Sequence, residues 1–232
     1  MAKQTQQASF GPDTLAFLGE LAANNEREWF AANKHRYEAL VLEPALRFIE
    51  AMGPGLAKLS EHIVAVPKRT GGSLMRVYRD TRFSHDKTPY KTNIGIQFRH
   101  ELGRDVHAPG FYVHVEPGSS FLGVGIWHPD GGALGRIRAH ISENPDRWRR
   151  ATRGKRFDDV FALTGDTLVR PPQGYATDAP FIEDLKRKDF IGIANLDDEV
   201  VTAPGFAALV RERFGRGKSL MAFLCEALEL QF

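Results

Sequence analysis

Between Arg76 and Lys91 the chain reads RVYRDTRFSHDKTPYK. Arg76, Arg79, Arg82, Lys87 and Lys91 stand among only two acidic residues, Asp80 and Asp86, with Tyr78, Phe83 and Tyr90 interleaved. A guanidinium presents a planar fork that pairs bidentately with phosphate or carboxylate, and a lysine adds a point charge. Several such groups on a strand followed by a Pro89-fixed loop would form a pocket for a small anion, with Arg76, Arg79, Asp80, Arg82, Lys87, Tyr90 and Lys91 as its candidate ligand-binding residues. The competing reading is that Asp80, Asp86, Glu116 and nearby carbonyls satisfy the arginines within the protein.

A second constellation is His114-x-Glu116 within GFYVHVEP. On a strand, residues two apart project to the same side. Imidazole and carboxylate would then stand together as a candidate acid–base pair, His114 moving the proton and Glu116 orienting it. The same geometry suits plain structural pairing, or metal ligation if His107 or His128 added ligands. No HExxH and no cysteine pair supports a metal, so no metal site is assigned. Trp29, Trp127 and Trp148 read as core residues or site walls, and Trp127 is placed with the ligand-binding set. GVGIW lacks dinucleotide-loop spacing, no GxxxxGK[ST] or GxSxG occurs, and GRGKS at 215–219 reads as a helix start.

These groups need a scaffold to hold them. Leu15, Leu18 and Leu21 recur at helical spacing after Pro12-Asp13, and Asn25 with Glu28 forms a candidate capping box for a second helix. Pro44 should end or kink that helix, and a further helical piece with Phe48, Ile49 and Met52 should close before GPG at 53–55. From Ser73 the period changes to two. SLMRVYRD, TNIGIQFRH and GFYVHVEPGSSFLGVGIW predict antiparallel strands over about 74–127, the last two runs forming a hairpin about EPGSS. In the hairpin's first strand, Phe111, Val113 and Val115 face the core, while Tyr112, His114 and Glu116 face the other way. GALGRIRAHI, FIEDLKRK, PGFAALVRERF and GKSLMAFLCEALEL read as helices, FIGIANL as a strand and TGDTLVRPPQGYATDAP as a loop. Helices, then strands, then helices predict an α+β fold with a central, mainly antiparallel sheet.

Composition bounds the rest. With 31 basic and 29 acidic residues the formal charge is +2, too balanced for a large phosphate footprint. The 232 residues suffice for a real core, read as a disordered tail at 1–12 and a single α+β domain at 13–232. One cysteine, Cys225, excludes an internal disulfide and sits in an apolar helical pattern as a packing residue. The polar start lacks a signal-peptide core, and no run approaches the roughly 18 apolar residues of a membrane span. The expectation is a cytoplasmic protein with no membrane partner. Cofactor and oligomeric state stay open.

NNEREWF, RVYRDTRFSHDKTPYKTNIG, GFYVHVEPGSSFLGVGIWHP, RPPQGYATDAP and LKRKDF occur in this order in a widespread bacterial and fungal family, domain of unknown function 2461. The chain resembles it roughly from Thr14 to Leu228, most specifically in RDTRFSHDKTPYK. The matching positions are Arg27, Glu28, Trp29 and Phe30, then Arg76, Arg79, Asp80, Arg82, Phe83, Asp86, Lys87, Pro89, Tyr90 and Lys91. His114, Glu116, Trp127, Gly174 and Tyr175 complete them. The family brings no activity, substrate or cofactor with it, but it favours one compact domain and an anion pocket at these positions. Binding of a small phosphate- or carboxylate-bearing ligand, with or without His114–Glu116 catalysis, is the first reading. A non-catalytic nucleic-acid-binding module and an interaction scaffold with an internal ion-pair network are the alternatives.

Overall fold

The structure is a computed structural model that describes residues 10–82, 85–103 and 108–232. Phe83 and His107, both singled out above, lie outside the described residues, as does the chain before Phe10. The order that the structure describes begins inside the expected tail. Phe10 is fully buried, with its ring 5.5 Å from Phe48 and 6.1 Å from Phe206. An apolar ring that size stays out of water wherever a partner surface exists, and Phe10 finds one although it lies within the segment expected as a tail.

Helix α1 (Pro12–Ala23) leads to a long helical stretch made of α2 (Arg27–Tyr37), a π-helical turn at Glu38–Leu42 and α3 (Glu43–Leu59). Pro44 does not end it. The carbonyl of Leu40, which Pro44 has no N–H to reach, accepts from the Thr14 hydroxyl at 2.7 Å. Nor does α3 stop before GPG. It runs through Pro54 to Leu59, because Phe48, Ile49, Met52 and Leu56 form one buried face. Asn25 caps nothing: the N-cap is Glu26, and it makes no side-chain capping bond.

The sheet contains β1 (Ile94–Arg99), β2 (Gly110–Val115), β3 (Ser120–Ile126), β4 (Ala162–Thr164) and β5 (Phe190–Leu196), ordered β1-β2-β3-β5-β4 and antiparallel throughout. The β2–β3 hairpin turns at EPGSS, with Gly118 at φ 69°, a conformation that favours glycine. Strands thus begin at Ile94 and not at Leu74, a correction to the predicted span. SLMRVYRD touches the sheet edge at the isolated bridge Leu74↔Ile96 and otherwise pairs with its own return arm. Its alternation reflects an extended arm whose hydrogen bonds mostly go elsewhere.

Helices α4 (Gly131–Glu143), α5 (Pro145–Thr152), α6 (Lys155–Asp158), α7 (Ile182–Leu185), α8 (Asp198–Thr202), α9 (Phe206–Arg216) and α10 (Lys218–Ala227) complete the order. The fold is therefore α+β. Phe98, Phe111, Val113 and Val124 point into the helical layer, where Phe214 of α9 stacks on Phe111 at 4.6 Å. Gly217 opens α10 and lets it approach the sheet, since a Cβ there would stand 3.0 Å from Val124. Cys225 is buried in α10, and burial pushes its thiol up to about 12. No helix among the described residues is long and apolar enough to cross a membrane.

Candidate functional site

The alternation of β2 sets the site. With Phe111, Val113 and Val115 fully buried on the helical side, Tyr112 and His114 must emerge on the other, half-exposed face. Glu116, one residue past the strand, continues that row. His114 Nε2 lies 3.1 Å from Glu116 Oε2. A carboxylate only accepts, which puts the imidazole hydrogen on Nε2 and leaves Nδ1 as an acceptor. Nδ1 in turn lies 3.3 Å from both the Asn93 side-chain amide and the Tyr112 hydroxyl. Thr92 donates to Glu116 Oε1 at 3.1 Å. Phe121 of the neighbouring strand stacks on the imidazole at 4.6 Å and 11°. Burial, and then the Glu116 charge, push the Tyr112 phenol up to about 12, so it stays a neutral donor.

Residues 92 and 93, which engage this pair, end the basic segment. Its two arms meet at the bridge Tyr78↔Tyr90, with the Arg79 N–H donating to Pro89 at 2.9 Å and the Lys91 N–H to Val77 at 2.7 Å. The first helices fix this pairing. Phe30 of α2 stacks on Tyr90 at 4.1 Å and lies 6.4 Å from Tyr78. The Asn25 side chain reads both backbone groups of Tyr90, donating to its carbonyl and accepting from its N–H at 3.0 Å each. NNEREWF is thus the seat of the basic segment, and this is the work Asn25 does in place of capping.

The five basic side chains divide. Arg82 grips Asp80 with Nε at 2.9 Å and Nη2 at 2.7 Å, and Lys87 donates to the Thr81 carbonyl at 2.8 Å. Arg79 pairs with Asp86 and donates to Thr88 at 2.6 Å. Hydrogen bonds from Arg82 hold the Asp80 carboxyl well below its usual range, and those from Thr88 and Arg79 hold Asp86 at about 2. The side chains of Arg76 and Lys91 make no hydrogen bond or ion pair among the described residues, although the charge of Arg76 acts on Asp80. Lys91 is half-buried, and its pKa is lowered first by that burial and then by the charges of Arg76 and Arg79. Three cations therefore share one neighbourhood, one of them tied to a carboxylate.

A groove of about 330 Å³ runs across the sheet from Tyr112, whose hydroxyl meets His114. Met75, Tyr112, Phe121, Gly123, Trp127 and Ile193 line it. Gly95 opens its near end, since a Cβ there would fall 2.8 Å from the Tyr112 hydroxyl and 3.0 Å from Met75 sulfur. Trp127 is 51% exposed at the end of β3. The turn beyond it is held by buried Asp189, which accepts from the His128 N–H at 2.7 Å.

The structure therefore brings His114 and Glu116 together, sets Arg76, Arg79 and Lys91 close to one another, and puts Trp127 on the groove wall. Asp80, Arg82 and Lys87 are engaged on their own loop. Tyr90, 5% exposed, is part of the aromatic seat. His128 pairs with Asp189 at 3.2 Å, and among the described residues no three His, Cys, Asp or Glu side chains converge to hold a metal ion. Tyr112, Asn93, Thr92 and Phe121 were missing from the sequence-derived set. Tyr112 alone carried a signal, its place on the His114 face.

An antiparallel sheet backed by helices, with a basic two-armed segment docked at its edge, defines an α+β protein of helix–sheet–helix order. Residues 13–223 match the family described as conserved hypothetical protein, domain of unknown function 2461 (DUF2461), and the chain belongs to that family. Searches of curated proteins and of solved structures return no match.

Proposed function

We propose that this protein binds a small anionic ligand, phosphate- or carboxylate-bearing, between Arg76, Lys91 and the free edge of Arg79. The observation that carries the reading is the pairing pattern. Arg82 and Lys87 are satisfied within their loop, whereas the half-buried Lys91 side chain makes no hydrogen bond or ion pair among the described residues and Arg76 only shares the charge of Asp80 with Arg82. Like charges held together and partly desolvated cost free energy, and an arriving anion would recover it. His114, fixed in one tautomer by Glu116, is the acid–base group of any reaction at this site, and Glu116 orients it. A cytoplasmic setting fits the lone, buried thiol.

Thermal unfolding tests the reading. Excess inorganic phosphate or acetate should raise the Tm of the wild type by about 2 °C or more. The Arg76→Gln/Lys91→Met double variant should lose that response while remaining folded. An equal response in the double variant, or none in the wild type, sinks the anion site. In the latter case the scaffold reading takes over, favoured by the internal pairs Arg79–Asp86 and Arg82–Asp80.

A further inference from the structure

We infer that the ligand is an amphiphilic acid, a flat apolar body carrying one anionic group, and that the groove over β2, β3 and β5 holds the body. This deepens the anion-site reading and rests on it for the charged end. The groove is built by subtraction. The non-core positions of β3 are Phe121, Gly123 and Gly125; Gly123 leaves out a side chain where a sheet face normally carries one, and Gly125, at φ 127°, is a position where a Cβ would meet the Phe190 carbonyl at 2.0 Å. Their neighbours across the strands are Tyr112 and Gly110 on one side, and Ile193 and Ile191 on the other. The result is a floor of backbone between apolar and aromatic walls, with Trp127 at the far end.

Polarity is distributed along the groove's length. At the near end Met75 and the Tyr112 hydroxyl meet above Gly95. Arg76 follows Met75 in the chain, and Tyr112 bonds to His114, which Asn93 and Glu116 link to the arm carrying Lys91. The arms that carry Arg76 and Lys91 thus run past one end of an otherwise apolar slot. A slot of about 330 Å³ matches a ligand of one or two fused rings, and pockets of this kind are mainly apolar with a few placed polar groups. Neither a bare inorganic ion nor a polymer of many phosphates would use both parts. An aryl or similarly flat carboxylic or phosphoric acid would.

The probes are 2-naphthoate, acetate and inorganic phosphate, titrated calorimetrically into the whole protein. Acetate shares the charge of 2-naphthoate without the rings. The wild type should bind one 2-naphthoate per chain, about tenfold or more tightly than acetate. Gly123→Leu should fill the floor. Its Cβ meets Tyr112 and Ile193 at ordinary distances of 3.4 and 3.7 Å, so the strand accommodates it. That variant should lose the preference for 2-naphthoate while binding acetate and phosphate as before. Ile193→Gln, on the same half-exposed face, gives an independent reading should Gly123→Leu unfold. Equal affinity for 2-naphthoate and acetate, or an unchanged preference in both groove variants, overturns the inference and leaves the anion site standing. Groove-dependent 2-naphthoate binding that ignores Arg76→Gln/Lys91→Met overturns the anion site, and the amphiphilic class with it.

Discussion

Lys91 shows what a single side chain contributes at this site. Its pKa is depressed by burial and by Arg76 and Arg79. Below its folded pKa, the folded state carries a charge that it holds less well than water does. The penalty is full below the folded pKa and fades as pH rises through it toward the ordinary lysine value of about 10.4. Without anion, Lys91→Met should therefore raise the Tm at pH 7 by about 2 °C, a gain that disappears above about pH 10.5. A thermal series against pH measures both. Asp86 has the opposite sign. Its depressed carboxyl adds stability above about pH 4 that is lost as pH falls toward 2. Asp86→Asn should also release Arg79 and strengthen phosphate binding several-fold, by calorimetry.

The relevant element is the pair of arms around Tyr78 and Tyr90. They are not a sheet strand pair, and their order is imported from α2. Phe30 supplies a stacked ring and Asn25 two backbone hydrogen bonds. Phe30→Ala should cost about 3–5 kcal/mol as a buried aromatic truncation. Asn25→Ala should cost about 1–3 kcal/mol, because it strands two backbone groups of buried Tyr90. In both variants hydrogen exchange at the Arg79 and Lys91 amides should quicken and the phosphate response should weaken, although neither residue lies among the candidate anion-binding residues. Glu28→Ala is the contrast. Glu28 is exposed and closes no capping box, so its loss should stay within about 0.5 kcal/mol.

At the scale of the molecule, the far end of the sheet is tied by buried carboxylates. Asp184, 1% exposed, accepts from Trp148 Nε1 at 2.7 Å, Arg153 Nη2 at 2.6 Å and Arg187 Nε at 3.1 Å. Asp189 accepts from the backbone of His128 and Asp166, joining the start of β5 to the turn after Trp127. Removing one partner of such a network leaves the others charged and unsatisfied. Asp184→Ala should lower stability by about 3–5 kcal/mol in urea titration with an unchanged slope. Phosphate binding in the folded fraction should be unaffected, since none of these groups belongs to the basic arms.

Local pattern carried strands β1, β2, β3 and β5, most of the helices, the hairpin at EPGSS and the shared face of Tyr112, His114 and Glu116, but not the three-residue β4. Each depends on spacing of two to four residues, which backbone geometry converts directly into direction. Spacing could not show that residues 74–79 would leave the sheet, that Pro44 and Pro54 would sit inside continuous helix, or that Asn25 would hold Tyr90 across 65 residues. Nor could it tell which basic residues find partners within reach. Arg76, Arg79, Arg82, Lys87 and Lys91 look alike in sequence. Folding decides which meet a carboxylate or a carbonyl, and which stand beside another cation. That sorting is set by contacts between distant segments, and in this protein it separates a satisfied loop from a candidate binding site.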